Sequence, residues 1–199
     1  MLRLEFEVGY GRTLVCVVAP TAAGKSTACA VLGEALGVPV VKADHVYGEL
    51  QQRFGVPVNA EELTDFEKWD DPKNFGIESW GSHDSIHEAK VGCFANLLQS
   101  VGDSSLILEG FTLSFSLERL IVETLLRPTL TVVIRIEIGF ERWARQYQAK
   151  YGVSAEDKAD VLTYLNSKFE RRDHEVVVCC TGPEELTSPG MIEFLRRLL

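Results

Sequence analysis

The chain has 199 residues, 46% of them apolar and 25% charged, with a formal net charge of −9. This length and mix suit one α/β domain with a substantial core. The acidic balance leaves no surplus of Lys and Arg to neutralise phosphates, which argues against unassisted binding to a nucleic-acid backbone or an anionic membrane. The five cysteines are Cys16, Cys29, Cys93, Cys179 and Cys180, with no C-x-x-C pair among them. An odd count without a spacing pattern reads as buried thiols in a reducing compartment, so a cytoplasmic location is expected. No apolar stretch reaches membrane-spanning length, and the N-terminal residues lack the long apolar run of a secretory signal.

In chain order, Leu2, Leu4, Phe6 and Val8 alternate with polar residues, the pattern of a half-buried strand. We expect it to lie antiparallel at a sheet edge and to turn at Gly9 and Gly11 into Thr13 to Val18. That second run is almost continuously apolar, as a strand buried on both faces must be. Ala19 to Ser26 is a turn of small residues. A helical pattern then starts at Lys25, places Ala28, Val31, Leu32, Ala35 and Leu36 on one face, and stops at Gly37. The turn fits the pattern G-x-x-x-x-G-K-[ST] at Gly24, Lys25 and Ser26, with Ala19 in place of the first glycine. Alanine is tolerable there only where φ is negative.

Each residue type in that turn has a chemical reason. Small residues let successive backbone N–H groups face one concavity and form an anion nest. The helix start adds unpaired N–H groups and the positive end of its dipole. The bland alternative is an ordinary βα turn; a strand before the turn and GKST at the helix start favour the phosphate loop. The stretch Val15 to Thr27 resembles the phosphate loop of P-loop NTPases. The resemblance implies ATP and Mg²⁺ as cofactors. Ala19, Thr21, Ala22, Ala23, Gly24, Lys25, Ser26 and Thr27 would then cradle the phosphates, Lys25 would reach the β- and γ-phosphates, and Ser26 would ligate Mg²⁺.

Val38 to Lys42 is a further strand, followed by Asp44. An acid at a strand's carboxyl end is well placed for a ligand, and it is equally a good N-cap for a helix over Val46 to Phe54; both roles can hold. Asp44 looks like the acid that touches the acceptor hydroxyl in small-molecule and nucleotide kinases. KADHVY also resembles the corresponding segment of tRNA isopentenyltransferases. Gly55 to Asp84 is irregular and holds Phe66, Trp69, Phe75 and Trp80; such a segment suits an acceptor-binding insertion, spanning 45–100 with its flanks, or simply packs its aromatics on the sheet. His83 and His87 lack a third metal ligand, and Asp84 is expected to cap a helix over Ser85 to Gln99. Ser105 to Gly110 reads SLILEG, a strand ending in Glu109. It looks like a Walker B variant, in which the carboxylate orients Mg²⁺ through water or accepts the acceptor's proton.

Phe111 to Phe115 is read as a loop, with Ser116 capping a helix over Leu117 to Leu126. Thr129 to Ile138 is the next strand, and its Arg135 needs a partner or a place at the sheet's polar end. Gly139 to Lys150 puts Arg142 and Arg145 on one helix face. This stretch resembles the lid of P-loop kinases, bounded here at 139–153, in which arginines close over the transferring phosphoryl group. A solvated helix with a Glu141–Arg145 pair is the alternative. A helix from Ser154 to about Phe169, a strand over Glu175 to Cys180, a loop over Thr181 to Pro189 and a helix over Met191 to Leu199 complete the chain. The order implies a three-layer αβα domain, 1–199, with a mostly parallel five-stranded sheet, and the resemblance at the phosphate loop implies that it is of P-loop kinase-like type. The expected function is ATP–Mg²⁺-dependent phosphoryl transfer to a small-molecule acceptor, with Lys25, Asp44, Glu109, Arg142 and Arg145 as catalytic residues and Ser26 and Glu109 at the metal. A P-loop prenyltransferase-like enzyme and a non-catalytic nucleotide-binding module are the alternatives.

Overall fold

The computed structural model describes residues 11–46, 49, 83–114, 116–152, 154–155, 158–167 and 169–199. The expected strand over Leu2 to Val8 and nearly all of Gly55 to Asp84 lie outside the described residues. Five strands form one sheet: β1 (Thr13–Val18), β2 (Val40–Lys42), β3 (Leu106–Glu109), β4 (Leu130–Ile136) and β5 (Val176–Cys180). Their order is β2-β3-β1-β4-β5, and every pairing is parallel. Parallel neighbours need crossover connections, which here are helices on the two faces of the sheet.

Strand periodicity divides the core in two. Val15 and Val17 of β1, Ile107 of β3, and Val132, Ile134 and Ile136 of β4 face one layer. It contains α1 (Lys25–Leu36), α4 (Phe140–Tyr151), the short α6 (Pro183–Leu186) and α7 (Pro189–Arg196), through residues such as Leu32, Trp143, Leu186 and Leu195. Leu14, Cys16, Val18, Leu106, Leu108 and Val133 face the other. There α2 (His83–Leu98) contributes Ala89, Cys93, Phe94 and Leu98, and α3 (Ser116–Leu126) contributes Ile121 and Val122. Burial on both faces explains why β1 shows no apolar–polar alternation.

Several boundaries differ from the expectations. The helix expected from Ser154 is α5, over Ala159–Ser167 only. The stretch expected as a loop after β5 contains α6, opened by Pro183 at its first turn, where a missing N–H costs nothing. Ser188 caps α7 by accepting from the Met191 N–H. Asp84 is not a cap, because α2 already includes His83. Arg135 sits toward the polar end of β4, half-buried, donating to the Asn166 carbonyl at 2.6 Å and pairing with Glu137 at 3.0 Å.

A fully buried arginine ties the sheet's second layer together. Arg119 of α3 donates from Nε and Nη2 to the two carboxylate oxygens of Glu175, at 2.6 and 3.0 Å. Its other donors reach the carbonyls of Leu113, Ser114 and Glu170. The guanidinium also lies over the Phe169 ring, 5.2 Å from its centroid. This one side chain fixes the loop after β3 against the segment entering β5.

Candidate active site

The carboxyl ends of β2, β3 and β1 lie side by side, so the loops that follow them share one crevice, the usual ligand position in an open α/β sheet. Val17 of β1 is level with Glu109 of β3, and Lys42 of β2 is level with the same residue. Backbone hydrogen bonds continue past the strands. The Gly110 N–H donates to the Val17 carbonyl at 3.1 Å, and the Ala43 N–H to the Glu109 carbonyl at 2.8 Å. Asp44, Glu109 and the turn after Val18 are thereby held at fixed separations.

The turn Ala19 to Gly24 departs from the expected economy of glycine. Ala19 is buried and has no positive φ, so alanine fits there. The left-handed residues are Ala22, with φ 61°, and Gly24, with φ 82°. Helix α1 starts on Gly24 with no side-chain cap and no acid in its first turn. Its first N–H groups are thus left for another acceptor, as an anion site requires. A side chain at Gly24 would also crowd Pro183, whose Cγ lies 3.1 Å from where a Cβ would stand.

Four predicted side chains come together here. The Ser26 hydroxyl donates to Glu109 Oε2 at 2.9 Å. Lys25 runs its buried stem to an ammonium 3.6 Å from Asp44 Oδ2. Glu109 is buried, whereas the Asp44 side chain is 48% exposed. Gly110 makes the junction possible, since a Cβ there would stand 2.8 Å from Asp44 Oδ1 and 3.0 Å from the Ala43 Cβ. The alternative role of Asp44 as an N-cap is not seen: residues 44–46 are already helical, and its carboxylate is 3.6 Å from the Lys25 ammonium. Hydroxyl and carboxylate oxygens with a positive backbone nest are a donor set that fits a hard divalent cation and a polyphosphate. Behind the turn, burial pushes the Cys29 thiol up to about 12, reinforced by the Glu109 charge and opposed by Lys25, so this thiol is no nucleophile.

The two expected lid arginines are not in this cluster. Arg142 makes a bidentate pair with Glu184 of α6, both contacts at 2.6 Å, and this hydrogen bonding holds the Glu184 carboxyl below the usual carboxylate range. Arg145 is exposed, and no expected Glu141–Arg145 pair forms among the described residues. Thr21 is instead contacted by two aromatic residues of the same helix. The Trp143 indole N–H donates to the Thr21 carbonyl at 2.8 Å, and the Tyr151 hydroxyl shares a 2.8 Å hydrogen bond with the Thr21 hydroxyl. Sequence reasoning missed both, although Trp143, Tyr147 and Tyr151 are spaced four apart and had to share a helix face. Among the described residues no group of three or more His, Cys, Asp and Glu side chains could hold a metal ion by itself, and no helix is long and apolar enough to cross a membrane. The side chains of His83 and His87 lie outside what is described.

No protein-family model matches the chain, and no curated protein matches it in sequence. Solved structures do resemble it. TT1252 from Thermus thermophilus superposes with a TM-score of 0.58 at 18% identity, covering 94% of this chain and 98% of that one. A sugar kinase from Janibacter sp., in an unliganded structure, gives a TM-score of 0.54 at 13% identity, covering 94% and 96%. At such identities the likeness is one of architecture. With its parallel sheet in the order β2-β3-β1-β4-β5 and its GKS turn between β1 and α1, this chain has a P-loop kinase-like fold.

Proposed function

We propose that the protein transfers a phosphoryl group from ATP, with Mg²⁺, to a small-molecule acceptor. The observation that carries this reading is the meeting of Lys25 with Asp44 and of Ser26 with Glu109 at three adjacent strand ends. Phosphoryl transfer asks a protein mainly for positioning and charge stabilisation, and an ammonium, a hydroxyl and two carboxylates around a backbone nest provide both. The likeness of the fold to a sugar kinase agrees with a small acceptor.

In this reading Ala19, Thr21, Ala22, Ala23, Gly24, Lys25, Ser26 and Thr27 hold the phosphates. Ser26 and Glu109 would hold Mg²⁺, which when bound neutralises charge on the β- and γ-phosphoryl oxygens. Lys25 stabilises the charge that develops on the transferring group. Asp44, the more exposed carboxylate, accepts the proton of the acceptor hydroxyl, and Glu109 stays with the metal-side oxygens. The acceptor is assigned to the 45–100 insertion. Helix α2 within that range packs in the core, which leaves the segment before it for binding. Residues 139–153 are assigned to the lid. For Arg142 to act there, its guanidinium must exchange the Glu184 carboxylate for phosphate, and Arg145 follows on the same helix.

An ADP-release screen with ATP–Mg²⁺ and a panel of sugars, sugar acids, nucleosides and nucleotides tests the proposal. Acceptor-dependent ADP formation that disappears in Lys25→Ala is expected, together with thermal stabilisation by ATP–Mg²⁺ through mass action. An unchanged melting temperature in saturating ATP–Mg²⁺ would overturn it. Stabilisation without turnover on any acceptor would favour a non-catalytic nucleotide-binding module.

A further inference from the structure

The phosphate loop of this chain is unusual in where its shape comes from. Gly24 is the only glycine between Ala19 and Ser26, and Ala22 adopts a left-handed φ of 61° that side-chain-bearing residues rarely take. Something outside the loop must hold it, since such a conformation persists only where its surroundings over-determine it. The surroundings are those of Thr21, the residue before Ala22. Its carbonyl accepts from Trp143 Nε1 and its hydroxyl bonds the Tyr151 hydroxyl, both at 2.8 Å. In a planar trans peptide the carbonyl and the following N–H point in opposite directions. Holding the Thr21 carbonyl against Trp143 therefore turns the Ala22 N–H away from α4.

The two contacts come from one rigid ladder. Trp143 and Tyr147 are buried, with ring centroids 5.0 Å apart, and Tyr147 and Tyr151 follow at 4.8 Å. Packing alone explains the rings, but it does not require the Tyr151 hydroxyl to meet Thr21. We propose that Tyr151 is a positioning residue for phosphate binding. Its hydroxyl on Thr21, together with the Trp143 indole, keeps the loop in its anion-binding shape before any ligand arrives. The inference rests on the phosphate-loop reading above. Its consequence is that ordering the loop costs the ligand less.

The test is calorimetric titration of ATP–Mg²⁺ into the full chain as wild type, Tyr151→Phe, Thr21→Val, the double variant, Thr21→Ser and Lys25→Ala, at a temperature where each is folded by circular dichroism. Tyr151→Phe keeps the ring and loses one hydrogen bond, so a Kd about three- to tenfold weaker is expected. Thr21→Val should lose a similar factor, the double variant should lose no more than the worse single one, and Thr21→Ser should bind like the wild type. Wild-type affinity in Tyr151→Phe, with Lys25→Ala still impaired, overturns the proposal alone. So does a double variant that loses the product of the two single factors. No binding by the wild type, or equal binding by Lys25→Ala, overturns the phosphate-loop reading and this inference with it.

Discussion

Replacing Glu175 by glutamine should cost about 3–5 kcal/mol of folding stability, whereas the same change at Glu184 should cost less than about 1 kcal/mol. Both carboxylates receive a bidentate arginine, at 2.6 and 3.0 Å in one case and 2.6 Å twice in the other. What differs is water. The Arg119 and Glu175 side chains are fully buried, while those of Arg142 and Glu184 are 37% and 60% exposed. Glutamine at 175 removes the countercharge of a guanidinium that water cannot reach, and it turns an N–H₂ group toward donors. At 184 solvent replaces whatever the carboxylate gave. For a chain of this size each kcal/mol moves the midpoint by about 2–4 °C, so Tm should fall by on the order of 10 °C in Glu175→Gln and hardly at all in Glu184→Gln. Equilibrium urea unfolding followed by circular dichroism measures both. Losses within about 1 kcal/mol of each other would refute the argument that burial, rather than geometry, sets the value of these pairs. The pH dependence has a definite sign. The Arg142 hydrogen bond lowers the Glu184 carboxyl, so its small contribution is complete above the ordinary carboxylate pKa and is lost as pH falls through the lowered folded-state value. The Tm gap between wild type and Glu184→Gln should accordingly close in acid.

Three further outcomes follow from the site. Asp44→Asn should raise the acceptor KM and lower kcat by about 10²–10⁴-fold with ATP affinity nearly intact, whereas Glu109→Gln should weaken the Mg²⁺ dependence and cut kcat with little effect on the acceptor; steady-state kinetics at varied Mg²⁺, ATP and acceptor separates them, and wild-type turnover in both would remove both from catalysis. Ala19→Gly should keep nucleotide affinity, because φ is not positive there, and should cost about 1 kcal/mol for one lost buried methyl; loss of binding by calorimetry would mean that this methyl shapes the loop. In the native protein a thiol reagent such as dithionitrobenzoate should titrate Cys179 alone, since Cys16, Cys29, Cys93 and Cys180 are buried and burial pushes the Cys180 thiol up to about 11; a count of two or more fast thiols would contradict this packing.

Much of the site was legible because its signals are local. GKS after a strand, and Asp44 and Glu109 at the ends of apolar runs, identify themselves by sequence neighbourhood, and the structure brings them together. Arg119 and Glu175 were not legible as a pair. They are 56 positions apart, and nothing in either neighbourhood marks the other. The same holds for Arg142 and Glu184, where the helix face was readable but the partner across space was not. The α6 turn was missed because four residues give no period to count, and the start of α5 was misplaced because a serine suited to capping need not cap.

The sequence by itself determined the types of the longer elements, the doubly buried first strand, the GKS turn before α1 and the two acids at strand ends, because hydrophobic period and short motifs act over a few residues. Tertiary structure decided the strand order that sets Glu109 and Asp44 at adjacent strand ends, and the pairing of Lys25 with Asp44 and of Ser26 with Glu109. It also decided that Thr21 of the loop bonds Trp143 and Tyr151 on a helix more than a hundred residues away. Hydrogen bonds of that kind depend on how layers pack, and packing is a property of the whole chain.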